Sequence, residues 1–134
     1  MFFHAVLMRL VDADAAFVAR VEAYAARVRA ELPCVRDYHF GPNLASRAGE
    51  YPWLVVATFD SEEDHERYQV SQVHQEMKAF MAPRIVQIVV GDIDTANPAL
   101  RVAVSMARII PPPLPSSVAY GATGEEFIFQ MRFS

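Results

Sequence analysis

The residues best suited to chemistry are a tyrosine and a histidine six positions apart, Tyr68 and His74. A neutral imidazole, with an ordinary pKa of about 6.5, suits a base that removes the acidic C–H proton between two carbonyl groups. A tyrosine hydroxyl could donate a hydrogen bond to the oxygen that gains charge in the enolate. On a continuous helix, six steps of about 100° leave the two side chains roughly 120° apart. The pair therefore converges only if the helix breaks between them.

The surroundings of His74 favour an apolar environment. The histidine lies beside a helical stripe of apolar residues, Val70, Met77 and Met81. Burial there disfavours the imidazolium, so the pKa of His74 should be lowered and the ring should remain a base at neutral pH. The alternative is that Tyr68 and His74 satisfy one another in the core and meet no ligand.

Three further residues are candidates for the same pocket. His4 alternates with the apolar side chains of the first strand and therefore faces an apolar layer, either as a functional group or as a core histidine bonded to the backbone. Tyr24 lies on the apolar stripe of the first helix, and Trp53 lies at the start of the third strand. As pocket walls, both aromatic rings could stack on a planar ligand, although plain core packing would also explain them.

Neither a metal nor another cofactor is expected from the local motifs. The four histidines include no His-x-His or His-x-x-x-His pair, and we expect His39 and His65 to face solvent. The single cysteine, Cys34, excludes an intrachain disulfide and a cysteine-based zinc cluster, and it suits a reducing compartment. No Gly-x-Ser-x-Gly motif of a serine nucleophile is present.

The elements that must position these residues follow from the periodicity of apolar residues and from the capping residues. Strands alternate with helices in the order β-α-β-β-α-β, which is the ferredoxin-like arrangement: four antiparallel strands with both helices on one face. Asp12 or Asp14 can cap the first helix, and Pro33 ends it. The predicted ranges are strand 2–11, the helix up to Leu32, strand 34–40, strand 51–59, a helix from Ser61 to Met81 that could be interrupted, and strand 85–93.

Size and charge narrow the class of protein. The chain has 134 residues, which suits one domain, and its formal net charge is −4 with no cluster of basic residues, which argues against a nucleic-acid partner. No apolar run approaches the ~20 residues of a membrane span, and the first residues do not have the charge pattern of a signal peptide. We therefore expect a cytoplasmic globular protein. Because the chain has no third layer, a second copy is the simplest cover for the free face of the sheet.

Residues 95–134 differ in character from the rest of the chain and are predicted to form a C-terminal extension. Apolar residues alternate over 100–106, although Asn97-Pro98 would also suit the start of a helix. A proline-rich stretch at 111–115 must be extended. A second alternation, Phe127, Phe129, Met131 and Phe133, predicts a strand that pairs with a sheet edge of its own domain or, as we favour, of a partner subunit.

Several short segments, taken in order, resemble the stress-responsive dimeric α/β-barrel (Dabb) family over about residues 1–94. They are Phe3-His4-Ala5-Val6-Leu7, Leu32-Pro33-x-Val35, Gly41-Pro42-Asn43, Val55-Val-Ala-Thr-Phe-Asp60 and, as the most specific, Tyr68-Gln-Val-Ser-Gln-Val-His74-Gln-Glu-Met. The family usually has His-Pro where this chain has Ser71-Gln72, and its cyclase-like members have a histidine where this chain has Trp53.

The resemblance implies a homodimer in which two sheets form one barrel with the helices outside. It also implies a break between Tyr68 and His74, and a place for His4 near the same pocket. Members similar to plant polyketide cyclases fold a linear polyketide by aldol condensation without a cofactor.

Our main interpretation is a homodimer of this family with a pocket for a small apolar carbonyl compound, lined by His4, Tyr24, Trp53, Tyr68 and His74. If the protein is an enzyme, we expect cofactor-independent, cyclase-like proton transfer with His74 as the base. The alternatives are a cofactor-free monooxygenase on a related dimeric barrel and a stress-related dimer whose pocket is filled by side chains.

Overall fold

The computed structural model of the protein describes residues 1–97, and the predictions for the extension, including its strands and its docking, lie outside these residues. The order of elements confirms β-α-β-β-α-β, with the second helix divided in two. The elements are β1 (Phe2–Leu10), α1 (Ala15–Glu31), β2 (Val35–Pro42), β3 (Trp53–Phe59), α2 (Glu62–Val70), α3 (Gln72–Met81), a single 3₁₀ turn (Ala82–Arg84) and β4 (Ile85–Asp94).

The four strands form one antiparallel sheet in the order β2-β3-β1-β4. Strand β1 is therefore central, and its residue His4 lies directly between Ala57 of β3 and Asp92 of β4. Because side chains directly opposite one another in neighbouring strands point to the same face, the register places Asp92 beside His4.

Helix α1 covers the sheet through the predicted apolar stripe. The side chain of Asp14 accepts a hydrogen bond from the backbone N–H of Phe17 at 2.8 Å and so caps the first turn. The helix buries residues at intervals of three and four, which is the spacing of one helical face. These buried residues are Phe17, Val21, Tyr24, Ala25 and Val28.

Ser71 interrupts the predicted second helix. Its backbone is extended, with φ −65° and ψ 149°, so it ends α2 and begins α3. Its hydroxyl donates to the backbone carbonyl of Tyr68 at 2.7 Å and accepts from the backbone N–H of His74 at 3.4 Å. One serine side chain thus satisfies a group at the end of one helix and a group at the start of the next.

The two faces of the sheet differ in exposure. The face toward the helices holds buried residues such as Met8, Ala57 and Phe59. The opposite face carries apolar side chains that remain exposed in the single chain, among them Phe3, Val56, Val89 and Ile93.

Within residues 1–97, no helix has the length and apolar character needed to cross a membrane.

Candidate functional site

Tyr68 and His74 meet across the break at Ser71. Their rings stack with centroids 4.3 Å apart and planes 14° apart. Both residues are buried, with 1% of Tyr68 and 7% of His74 exposed. The expectation that a helix break brings the pair together is confirmed.

The ring of His74 is held as a neutral base. Its Nδ1 lies 3.1 Å from the backbone carbonyl oxygen of Gln69. A carbonyl oxygen only accepts, so Nδ1 carries the ring proton and Nε2 retains a free lone pair. Burial is the main reason that the pKa of His74 is lowered to about 4; the contact with the Gln69 carbonyl partly opposes the shift, and the nearby charge of Lys78 adds to it. At neutral pH, Nε2 is therefore available to take a proton.

Removing the charge of Lys78 should raise the pKa of His74. In Lys78→Met, protonation of the imidazole no longer meets a nearby cation, so the pKa should rise, yet stay below 6.5 because burial is the largest cause of the shift. Lys78→Arg keeps the charge and serves as the matched control. NMR titration of the His74 ring measures its pKa in each variant. A pKa that stays the same in Lys78→Met would contradict this assignment of the cause.

Tyr38, which the sequence analysis did not single out, holds the hydroxyl of Tyr68. The two hydroxyl oxygens lie 3.0 Å apart, and the Tyr38 hydroxyl also lies 3.7 Å from Sδ of Met77. Burial raises the pKa of Tyr38 to about 12 and raises that of Tyr68 well above its ordinary value. Both phenols therefore keep their protons and act as hydrogen-bond donors near neutral pH.

His4 is oriented by a second residue absent from the sequence prediction, Asp92. Nδ1 of His4 lies 2.6 Å from a carboxylate oxygen of Asp92. His4 is buried, whereas 40% of the Asp92 side chain is exposed. The contact fixes the imidazole plane of His4 and leaves its Nε2 for another partner.

These polar groups help to line a cavity of about 280 Å³ between α3 and the strands β1 and β4. His4, Tyr68, Gln69 and His74 line it together, so the structure brings three of the five predicted site residues to one space. Its other walls are mainly aliphatic and thioether side chains, including Val6, Met8, Met77, Met81, Ile88 and Val90. The cavity suits a small, mainly apolar molecule with one polar end.

The expectation that Tyr24 and Trp53 line this cavity is wrong in the structure. Tyr24 lies on α1, away from β4, where its ring packs 5.7 Å from that of Phe80. Trp53 lies at the start of β3, opposite Met8 of β1, and its ring stacks on Phe40 of β2 with ring centroids 5.4 Å apart. The packing of the elements against one another places these two rings outside the cavity. Periodicity within one element does not predict that packing.

His39 and His65 were both expected to face solvent, and the structure separates them. His39 is exposed, as predicted. The prediction for His65 is wrong, because only 8% of it is exposed. The first turns of α2 lie over the end of the sheet, where the His65 ring stacks on Phe2 at 4.6 Å and lies 4.7 Å from the ring of His4.

Comparisons with known proteins agree with this fold. Residues 2–95 match the model of the Stress Responsive A/B Barrel Domain family. A dimeric ferredoxin-like protein of unknown function from Thermobifida fusca is 29% identical, with a TM-score of 0.60 over 69% of this chain and 88% of that protein. A comparison with curated proteins finds no match.

Two solved structures with stated activities share the fold at lower identity. A hydroxynitrile lyase from Passiflora edulis is 20% identical, with a TM-score of 0.61 over 72% of this chain and 96% of the lyase. A putative antibiotic biosynthesis monooxygenase from Caulobacter crescentus is 18% identical, with a TM-score of 0.61 over 72% of this chain and 90% of that protein. Because the family match spans most of the chain and the ferredoxin-like topology accompanies it, the chain belongs to the stress-responsive A/B barrel (Dabb) family.

Proposed function

We propose that this protein binds a small apolar carbonyl compound in the cavity beside α3 and moves a proton on it without a cofactor. The observation that carries the proposal is the buried His74, whose tautomer leaves Nε2 free, stacked on Tyr68 at the wall of an apolar cavity. A histidine that only filled the core would need no free nitrogen facing such a space.

In the proposed reaction, Nε2 of His74 takes a proton from the carbon next to the carbonyl group. The C–H electron pair moves into the enolate, and the carbonyl oxygen gains negative charge. Tyr68 donates its hydroxyl proton in a hydrogen bond to that oxygen. For this, the Tyr38 hydroxyl must donate to the Tyr68 hydroxyl. That contact, at 3.0 Å, is better than the alternative contact of the Tyr38 hydroxyl with Sδ of Met77 at 3.7 Å. The imidazolium then returns its proton to the product.

His4 is proposed to bind a second oxygen of the ligand. Its Nδ1 contacts Asp92, and it lines the same cavity as His74, so its Nε2 is the nitrogen left for a ligand. A β-diketone would thus meet Tyr68 as a donor at one oxygen and, in its enol form, the Nε2 lone pair of His4 as an acceptor for the hydroxyl at the other. The lyase of the same fold from Passiflora edulis supports small-molecule chemistry on this scaffold.

The test follows exchange of α-protons. A β-diketone in D₂O is incubated with the protein, and the loss of its CH₂ proton signal is measured by NMR. We expect the protein to accelerate exchange and Tyr68→Phe to slow it by about 10²-fold, because one donor to the developing oxyanion is lost. Tyr24→Phe is the matched control and should keep the wild-type rate, because Tyr24 lies outside the cavity. No acceleration by the wild-type protein, or equal losses in both variants, would contradict the proposal.

The protein is also proposed to act as a homodimer through the free face of its sheet. Phe3, Val56, Val89 and Ile93 are exposed there in the single chain. Burying apolar surface contributes about 25 cal/mol per Å², so a second copy on this face would stabilise the pair. The Thermobifida fusca protein of the same fold is dimeric. Pairing of residues 127–133 with the partner's sheet edge stays a prediction from the sequence.

A further inference from the structure

Three side chains from separate elements meet beside the cavity: His4 of β1, His65 of α2 and Asp92 of β4. A ring nitrogen from each histidine and a carboxylate oxygen of Asp92 all lie within 4.8 Å of one another. His4 and Asp92 are already in contact at 2.6 Å, and the two imidazole rings lie 4.7 Å apart. The residues are far apart in the sequence, so short histidine spacing could not reveal this cluster.

Two imidazoles and one carboxylate form a donor set that suits zinc and similar divalent transition metals. Bond lengths of about 2.0–2.2 Å would place the ligand atoms roughly 3.0–3.5 Å apart. The widest separation, at most 4.8 Å, would have to shorten by up to about 1.3–1.8 Å, whereas the 2.6 Å contact between Nδ1 of His4 and Asp92 would have to lengthen if both atoms bind the ion. Asp92 can move most easily, because 40% of its side chain is exposed.

The environment of His65 affects its capacity to act as a metal ligand. Burial lowers its pKa, and the neighbouring His4 lowers it further, so the ring is neutral and offers a lone pair at neutral pH. Its Nε2 accepts a hydrogen bond from the side-chain N–H of Gln69 at 3.0 Å. An ion must therefore take this lone pair from Gln69, or bind Nδ1 after the Gln69 amide turns its oxygen toward Nε2. The rings of Phe2 and Phe59 pack around the imidazole and restrain it.

We propose that His4, His65 and Asp92 bind one divalent transition-metal ion of the zinc type per chain. The proposal rests on a cluster that does not include Tyr68 or His74, the residues that carry the proton-transfer step, although it shares His4 with the proposed ligand site. A bound ion would lie beside the cavity and take up His4, the member of the cluster that lines it.

The test is isothermal titration calorimetry of untagged protein with ZnCl₂ at neutral pH in a buffer that does not bind metal. We expect one site per chain, no comparable binding of Mg²⁺, and affinity for zinc at least about tenfold weaker in His65→Asn. His39→Asn is the matched control. It removes an exposed histidine and should bind zinc as the wild-type protein does.

A second variant protects the test against misfolding. Asp92→Asn changes a partly exposed side chain and should also weaken zinc binding at least about tenfold while the circular dichroism spectrum stays unchanged. Absence of zinc binding by the wild-type protein would overturn the proposal. So would unchanged affinity in folded His65→Asn, or a loss in His39→Asn equal to that in His65→Asn. Each result is obtained without a carbonyl substrate, so it does not depend on the outcome of the exchange assay.

Discussion

Replacing Val56 by aspartate should convert the protein from a dimer into monomers of 15.0 kDa. Val56 lies on the free face of β3, between Ala5 of β1 and His39 of β2. A second copy on this face would bury the new carboxylate without a partner, which costs several kcal/mol. In the single chain the side chain is exposed, so the fold of each subunit should survive. Light scattering after size-exclusion chromatography at micromolar concentration measures the mass.

Leu44→Asp provides the control for that experiment. Leu44 is an apolar residue that is 89% exposed in the loop between β2 and β3, outside the strands that form the free face. The same charge placed there should leave the dimer intact. A dimeric Val56→Asp protein, or a wild-type protein that is already monomeric, would show that the free face is not the interface.

The second large effect is expected for His74→Asn in the proton-exchange assay. The asparagine amide can still donate to the Gln69 carbonyl in place of Nδ1, so the local fold should persist, but it has no basic nitrogen. The exchange rate should fall on the order of 10³-fold. In the wild-type protein, the rate should hold through neutral pH and fall only as the pH drops through about 4, where His74 becomes protonated.

The folded state of His74→Asn is checked by its thermal unfolding and its oligomeric mass, which should stay close to those of the wild-type protein. His39→Asn, at an exposed position, should retain full exchange activity. Wild-type exchange activity in His74→Asn would remove His74 as the base. A rate that falls with a midpoint at or above 6.5 would show that the titrating group is not the buried imidazole described above.

The order of elements was predictable because each element carries its own signals. The apolar stripe of α1, an aspartate cap and the stop at Pro33 each act on nearby residues, and the structure confirms the stripe and the stop and selects Asp14 over Asp12 as the cap. Helical geometry showed only that a break is needed if the side chains of Tyr68 and His74 are to meet, and the resemblance to the family implied that the break exists. Such features depend on residues that are close together in the sequence, so they can be predicted from one sequence.

The missed residues depend on contacts between distant elements. Asp92 reaches His4 only because β4 pairs with β1 in one particular register, and a shift of one residue would turn its side chain to the other face. Tyr38 meets Tyr68 through the packing of β2 beneath α2. His65 follows an acidic turn, which suggested solvent, and only the position of α2 over Phe2 buries it. No pattern within one of these segments predicts which residue of a distant segment it will contact.

The interruption at Ser71 also affects how the protein opens. Helices α2 and α3 have 9 and 10 residues, and helices this short are marginal on their own, so packing must hold them. Three antiparallel strand pairings hold the sheet independently of them. Local unfolding of the α2–α3 segment therefore requires less free energy than global unfolding. Since His74, Met77 and Met81 of α3 form one wall of the cavity, such an opening would admit or release a ligand while the sheet stays intact. Tyr68 and His74 thus belong to a segment that should exchange its amide hydrogens sooner than the strands of the sheet do.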